Sequence, residues 1–369
     1  MNKNEKICVY CGQVLDEGNV YEFHDKVMCE GCFNEHTAVC ECCNDRIWQS
    51  DSRGDESITL CYDCYDDYYT TCEDCGRIIH NDSVYYENDD SDVPYCESCY
   101  DRINNAIIKS YNFKPKPIFY GSDSMFMGVE LEIDKGGECI ENAETLLDIA
   151  NRDNEHIYCK HDGSIEDGFE IVSHPMTLDY HINKMNWKDI FHKAIDMDYR
   201  SHQTSTCGLH IHIGRNSLGE SYAEQESVIA RIVHFVELHW NELLKFSRRT
   251  EESINRWASR YGIADNTEET YKKAKSKGLG RYVAVNITNC NTIEFRMFRG
   301  TLRYKTFIAT LQLVSEICRC AISMSDKEME RLSWSDFVLN MPMDYQYLID
   351  YLKSKRLYVN DIENEGDEI

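Results

Sequence analysis

From residue 122 onward the chain alternates between short segments with apolar residues at every second position and longer ones with apolar residues three or four apart. These are the periods of strands and helices. Strands are predicted at 127–134, 156–160, 168–173, 207–214, 281–288 and 292–299. Helices are predicted at 141–152, 178–197, 221–246 and 304–324, with shorter ones near 334–340 and 344–354. Within 221–246, Val228, Ile232, Phe235 or Val236 and Leu243 form the stripe of a core-facing helix. The pattern predicts one α+β domain over residues 122–356, long enough to bury its own core, and an acidic tail over 357–369 that frays. Residues 111–121 contain Pro115 and Pro117, two of the five prolines in the chain, and read as an extended, semi-rigid linker after a helical segment ending near Ser110.

Before residue 110 the repeating residue is cysteine. Of 19 cysteines, 13 precede residue 100, and twelve of these form six Cys-x-x-Cys pairs: Cys8/Cys11, Cys29/Cys32, Cys40/Cys43, Cys61/Cys64, Cys72/Cys75 and Cys96/Cys99. The first cysteine of every other pair recurs with a period of 32 residues, at 8, 40 and 72, which marks copies of one small unit. Two such knuckles make a closed four-thiolate shell suited to Zn²⁺. A unit of this length is too small for a self-sufficient apolar core, so the metal supplies much of its folding energy. Gly12 and Gly76 follow the first knuckle where a left-handed turn is expected. The reading is three structural zinc modules, at about 8–32, 40–64 and 72–99. Cys42, His24 and His36 stand near enough in sequence to replace a ligand. These repeats resemble treble-clef and LIM-type modules, with Phe33, Tyr65 and Tyr100 after the last pair of each copy, although their joins are longer than in LIM modules.

Charge changes the picture of partners. The chain carries 39 Lys and Arg against 65 Asp and Glu, a net of −26, and residues 1–110 alone hold 8 basic and 24 acidic residues. Phosphodiester binding depends on Lys and Arg neutralising phosphates, so this balance argues against nucleic acid and weakly favours cationic or neutral partners. The Tyr-rich, acidic zinc array is expected to bind a protein. No run of 18 uncharged apolar residues occurs, the best apolar run being Val228 to Leu244, so no membrane span is expected. Without an apolar leader after Met1, the expected compartment is cytoplasmic, of a cell or of an infected host cell.

Four predicted strands carry polar residues on one face. In Gly128-Val129-Glu130-Leu131-Glu132-Ile133-Asp134 the acids alternate with Val129, Leu131 and Ile133, and in Cys207-Gly208-Leu209-His210-Ile211-His212-Ile213 two imidazoles do the same. Gly168-Phe169-Glu170-Ile171-Val172-Ser173-His174-Pro175 adds Glu170, and Thr292-Ile293-Glu294-Phe295-Arg296-Met297 places Glu294 beside Arg296. Each pattern alone also fits a half-solvated strand, surface histidines or a cross-strand ion pair. Together they gather carboxylates, histidine and arginine on one sheet face, which is costly without cations. Carboxylates mixed with imidazole suit Mg²⁺ or Mn²⁺.

These segments, with Asp162-Gly163-Ser164, occur in an order that resembles the amidoligase family within the glutamine synthetase-like carboxylate–amine ligases, over roughly residues 125–325. The resemblance implies a curved antiparallel sheet with flanking helices, ATP, and two or three divalent cations. It implies Glu130, Glu132, Glu170, His210 and Glu294 as metal ligands and Arg296 as a contact to the transferring phosphoryl group. ATP would phosphorylate a carboxylate, and an amine would displace phosphate to give an amide or isopeptide bond, on a peptide or protein substrate if the zinc modules recruit one. His212 either faces the amine or packs. Lys160, Arg248, Arg256 and Arg281 are candidate phosphate contacts. Two other functions compete: a zinc-module adaptor with an inactive ligase-like domain, and a metal-dependent hydrolase built on His210 and His212. Cys318 and Cys320 read as core or free thiols, and Trp187, Trp257 and Trp334 as core packing or pocket cover.

Overall fold

The computed structural model of the chain describes residues 6–16, 18–86, 92–202, 204, 207–276, 278 and 280–358; most of the expected acidic tail lies outside them. The chain divides into two compact units, Met1–Ala106 and Ile107–Ile369.

The first unit repeats one small motif. In each copy the first Cys-x-x-Cys knuckle turns between two short antiparallel strands: Lys6–Ile7 with Val14–Leu15, Thr37–Val39 with Arg46–Trp48, and Tyr69–Thr71 with Ile78–His80. The residue after the knuckle closes the turn with a backbone bond to the first cysteine, and it is left-handed every time: Gly12 at φ 75°, Asn44 at φ 64° and Gly76 at φ 71°. Asparagine is the side chain that best tolerates this conformation, which is why the second copy manages without glycine. The second knuckle of each copy starts a helix, Glu30–His36, Tyr62–Tyr68 and Glu97–Asn105. In the first two, the sulfur of Cys29 or Cys61 accepts the N-terminal backbone N–H three residues on. The helical segment expected to reach Ser110 stops at Asn105, and Ile108–Lys109 is a strand of the second unit.

The second unit is a mixed α+β fold. Its strands are β1 (Ile108–Lys109), β2 (Met127–Ile133), β3 (Ile157–Lys160), β4 (Phe169–Ser173), β5 (Gly208–Gly214), β6 (Val285–Asn286) and β7 (Thr292–Arg299). They form one sheet in the order β6-β7-β5-β2-β4-β3-β1, antiparallel except for the β3–β1 pair. Val129, Leu131, Ile133, Ile171, Leu209, Ile211, Ile293 and Phe295 face one way and are fully buried. They share a continuous apolar core with the helices α1 (Ile140–Ala150), α2 (Leu178–Asn183), α3 (Trp187–Asp196), α4 (Tyr222–Leu238), α5 (Trp240–Ser247) and α8 (Tyr304–Ser323). Helices α6 (Glu251–Trp257), α7 (Thr267–Ser276), α9 (Asp326–Arg331), α10 (Trp334–Leu339) and α11 (Gln346–Ser354) complete the unit.

Several elements differ from the sequence pattern. The helix expected over 221–246 starts as a Ser221/Glu224 capping box directs but breaks at His239, whose ring contacts the Leu332 carbonyl at 2.9 Å. The 178–197 helix breaks similarly between α2 and α3. The 281–288 strand shrinks to Val285–Asn286, and α6, α7 and α9 were not anticipated. Residues 111–121 pack on the second unit: Phe113 is buried edge-on to Tyr158, and the backbone of Tyr120 pairs with Pro175 and Thr177. Among the described residues the long apolar helix is α8 rather than Val228–Leu244. It is long and apolar enough to cross a membrane, but most of it is buried as the central core helix of this unit. The core stripe of α4 and α5 is buried as expected; of the residues left open, Cys318, Cys320, Trp187 and Trp334 are buried and Trp257 is half-buried.

Candidate active site

Strand register decides which polar groups meet. Glu130 of β2 stands opposite His210 of β5, Glu132 opposite Glu170 of β4, and His212 opposite Glu294 of β7. Residues paired in register share a face, so all six project from the side of the sheet opposite the core. Glu132, Glu170, His210 and Glu294 are at least nine-tenths buried. The β5–β7 register shifts between Leu209 and Ile211, a bulge that sets Arg296 and Met297 against His210 alone. This keeps Arg296 beside Glu294 while returning Phe298 to the core opposite Leu209.

The ligand atoms of Glu130, His210 and Glu294 lie within 4.8 Å of one another. His210 Nδ1 is 3.4 Å from Glu130 and 3.6 Å from Glu294, and His210 Nε2 is 3.9 Å from Glu132. Three donors of this type converging at a point fit a hard divalent cation. Outer groups hold the ligands in place: Asn286 donates to Glu294 at 3.0 Å, Arg296 pairs with Glu294, and the Gly208 N–H donates to Glu132 at 2.6 Å. His212 lies 3.2 Å from Glu130 and 3.8 Å from Glu294 through Nε2, while Nδ1 meets Thr292 Oγ1 at 3.2 Å.

The charges on this face are unevenly compensated. Burial would raise Glu130, but the imidazoles of His212 and His210 outweigh it and hold the carboxyl well below its usual range. Burial also opposes a charge on His212, yet Glu130 and Glu294 raise it on balance. Glu132 is raised by burial with help from Asp162. Glu170 is raised most clearly, by burial and then by Glu130, Glu132 and Asp162, with Lys160 opposing. Among the described residues Glu170 has no hydrogen-bond or ion-pair partner, so its buried carboxyl is free to take a cation.

The four candidate phosphate contacts scatter. Lys160 pairs in register with Glu170 and lies over the Tyr111 ring. Arg281 bonds the Tyr111 hydroxyl and stacks on Tyr282, and Arg256 stacks on Trp257. Arg248 turns to the Arg299 carbonyl, while its neighbour Arg249 is the one directed at the site, with Glu132 opposing the burial that lowers it to about 10. Sequence reasoning missed Arg249 because nothing in an Arg-Arg pair tells which member points inward. It also gave no site role to Asn286 or Asp162, although Asp162 stood in a quoted motif.

Residues 148–318 match the family model described as "Putative amidoligase enzyme". Over that segment, just under half of the chain, the protein is similar to the amidoligase family. The segment contains β3 to β7, α2 to α7 and most of α8, so Glu170, His210, His212, Glu294 and Arg296 fall inside it, while the Glu130/Glu132 strand and most of α1 precede it. A comparison with curated proteins gave no match.

The cysteine clusters lie outside the matched segment. The four sulfurs of each repeat lie within 4.8 Å of one another, in the sets 8/11/29/32, 40/43/61/64 and 72/75/96/99. Sulfur pairs across the knuckles are 3.7 Å (Cys11–Cys29), 3.9 Å (Cys43–Cys61) and 3.8 Å (Cys75–Cys96) apart. A tetrahedron with Zn–S bonds of about 2.3 Å has edges of about 3.8 Å, whereas a disulfide needs about 2 Å, so each cluster can hold zinc. Cys42 is exposed and is not among the four sulfurs of its cluster. His24 packs on Phe23, and His36 stacks on Tyr10 at 3.8 Å.

Proposed function

We propose that the second unit is an ATP-dependent carboxylate–amine ligase of the glutamine synthetase-like kind. The observation that carries this reading is the convergence of Glu130, His210 and Glu294 beside the unpartnered Glu170, on a sheet that carries the segment similar to the amidoligase family. Glu130, His210 and Glu294 would hold one Mg²⁺ or Mn²⁺, and Glu132 and Glu170 a second. When bound, the cations neutralise phosphate charge and orient the triphosphate. Arg296, locked against Glu294, presents a guanidinium to the phosphoryl group as it passes to the substrate carboxylate. The products of that step are ADP and an acyl phosphate. An amine then attacks the acyl carbon, phosphate leaves, the amine gives up a proton, and an amide forms. His212 is held between Glu130, Glu294 and Thr292, which suits it to keep a positive charge near the phosphates rather than to act as a free base. The exposed Ile7, Val9, Tyr10 and Val14, in an acidic module, support a role for the zinc array in holding a peptide or protein.

Calorimetry of ATP binding with and without Mg²⁺ tests the assignment. Wild type is expected to bind only with Mg²⁺, and Glu130→Gln to lose about tenfold or more in affinity while its fold persists. A folded, zinc-loaded wild type that binds no ATP would replace this reading with that of an adaptor.

A further inference from the structure

Four chain segments meet at one end of the central strands. Arg200 pairs through its backbone with Asp134, at the end of β2. Ser201 lies against Gly300, where an added Cβ would stand 2.1 Å from its hydroxyl, and Ser201 also donates to the Glu132 carbonyl. Gly208 stands opposite Arg299 in register. A Cβ on Gly208 would come within 2.7 Å of His210 Nε2 and 2.8 Å of Arg249 Nη2, so the bare glycine lets both side chains pass over it. Arg248 donates to the Arg299 carbonyl. The result is a group of cationic side chains in which Arg299, Arg248, Arg200 and Arg303 surround His202, and Arg249 feels both Arg299 and Glu132.

The group is graded. Arg249 is only 9% exposed, Arg248, Arg299 and Arg200 are half-buried, and Arg303 and His202 are exposed. Among the described residues only Arg200 has a carboxylate within ion-pair reach, Asp198 at 3.7 Å. The buried Nε atoms of Arg248 and Arg249 have no hydrogen-bond partner among the described residues. Burial and the charges of Arg299, Arg248, Arg200 and Arg303 hold His202 below its ordinary value. In a chain of net charge −26, five arginines gathered with, among the described carboxylates, only Asp198 and Glu132 to oppose them are costly unless an anion joins them. One clamp serves one carboxylate; a row from a buried to an exposed position serves a ligand with several.

We propose that this arginine row binds the acid substrate as an extended polycarboxylate, an acidic peptide segment whose reacting carboxylate lies at the metal cluster and whose further carboxylates follow the row outward. The proposal rests on the ligase reading for its reacting end, but binding along the row does not need ATP.

The test is fluorescence anisotropy of labelled hexaglutamate with the zinc-loaded full chain, with hexaglutamine and oligothymidylate as comparison probes. Hexaglutamate alone is expected to bind. Arg303→Glu, at an exposed position that spares the fold, and Arg299→Gln are each expected to weaken it about tenfold, with Mg²⁺-dependent ATP binding unchanged. Hexaglutamate binding in a protein that binds no ATP would sustain the row and overturn the ligase reading. Absence of hexaglutamate binding would overturn the row. So would oligothymidylate binding of equal strength, or displacement of hexaglutamate by ATP together with loss of ATP affinity in Arg303→Glu, which would make the row a polyphosphate site.

Discussion

In the first unit the side chains suited to metal are themselves the core, whereas in the second they stand on one face of a sheet whose other face is the core. The buried cluster of the first repeat is Cys8, Leu15, Met28 and Cys32, and that of the second is Cys40, Leu60 and Cys64. The second unit buries dozens of apolar residues in one continuous core. Ligands therefore do different work in the two. Thiols in the modules are part of what folds, and carboxylates on the sheet are a burden that the apolar core tolerates so that they can bind.

Zinc removal should separate the two most sharply. A strong chelator is expected to unfold Met1–Ala106, since structural zinc contributes on the order of 10 kcal/mol per site, and to leave the Ile107–Ile369 core intact by near-ultraviolet circular dichroism. Joint loss of both units would break the contrast. Next in size is Leu131→Ala, at a fully buried core position. It is expected to cost the second unit about 2–5 kcal/mol in denaturant unfolding with the zinc content unchanged.

Acid should act on the second unit through His181, which is fully buried, contacts the Met127 carbonyl at 3.1 Å and accepts from Trp187 at 3.2 Å. Burial pushes its imidazole down to about 4. The unfolded chain thus binds a proton that the folded chain refuses. Stability is present above about pH 6.5 and is lost as pH falls towards 4, by about 3 kcal/mol in all. His181→Gln should flatten that part of the pH–stability curve, and an unchanged slope would assign the loss to other groups.

Glu170→Gln tests the idea of a tolerated burden. With the repelling carboxyl gone, the metal-free protein is expected to gain about 1 kcal/mol while Mg²⁺-dependent ATP binding weakens. A loss of stability instead would mean that Glu170 supports the fold. The smallest effect belongs to Cys42→Ser, expected to leave three zinc ions per chain by metal analysis.

What the sequence made legible follows the same division. Cysteine spacing located the clusters because a short knuckle leaves little freedom in where its sulfurs point. Alternation located Glu130, Glu132, His210 and Glu294, because period two fixes the face of a strand whatever its neighbours are. Pairing was not legible: no local signal says that His210 stands opposite Glu130 and His212 opposite Glu294 in register, since strand order is set by core packing. The helix break at His239 lacked a Pro or Gly to announce it. The bulge at Arg296 and Met297 left no trace in a run that reads as simple alternation. Arg249 depended on a left-handed turn at Arg248 (φ 65°), which arginine rarely adopts.

Strand β1 carries a practical consequence. Its two residues, Ile108 and Lys109, cover the outer edge of β3 through Cys159 and Lys160. Separating the ligase-like unit from the modules by cutting after residue 110 would strip that cover and leave a row of unpaired backbone donors and acceptors, a template on which further copies could add strand by strand. A cut between Ala106 and Ile107 retains the cover, and the shift of a few residues should decide whether the fragment stays monomeric or precipitates.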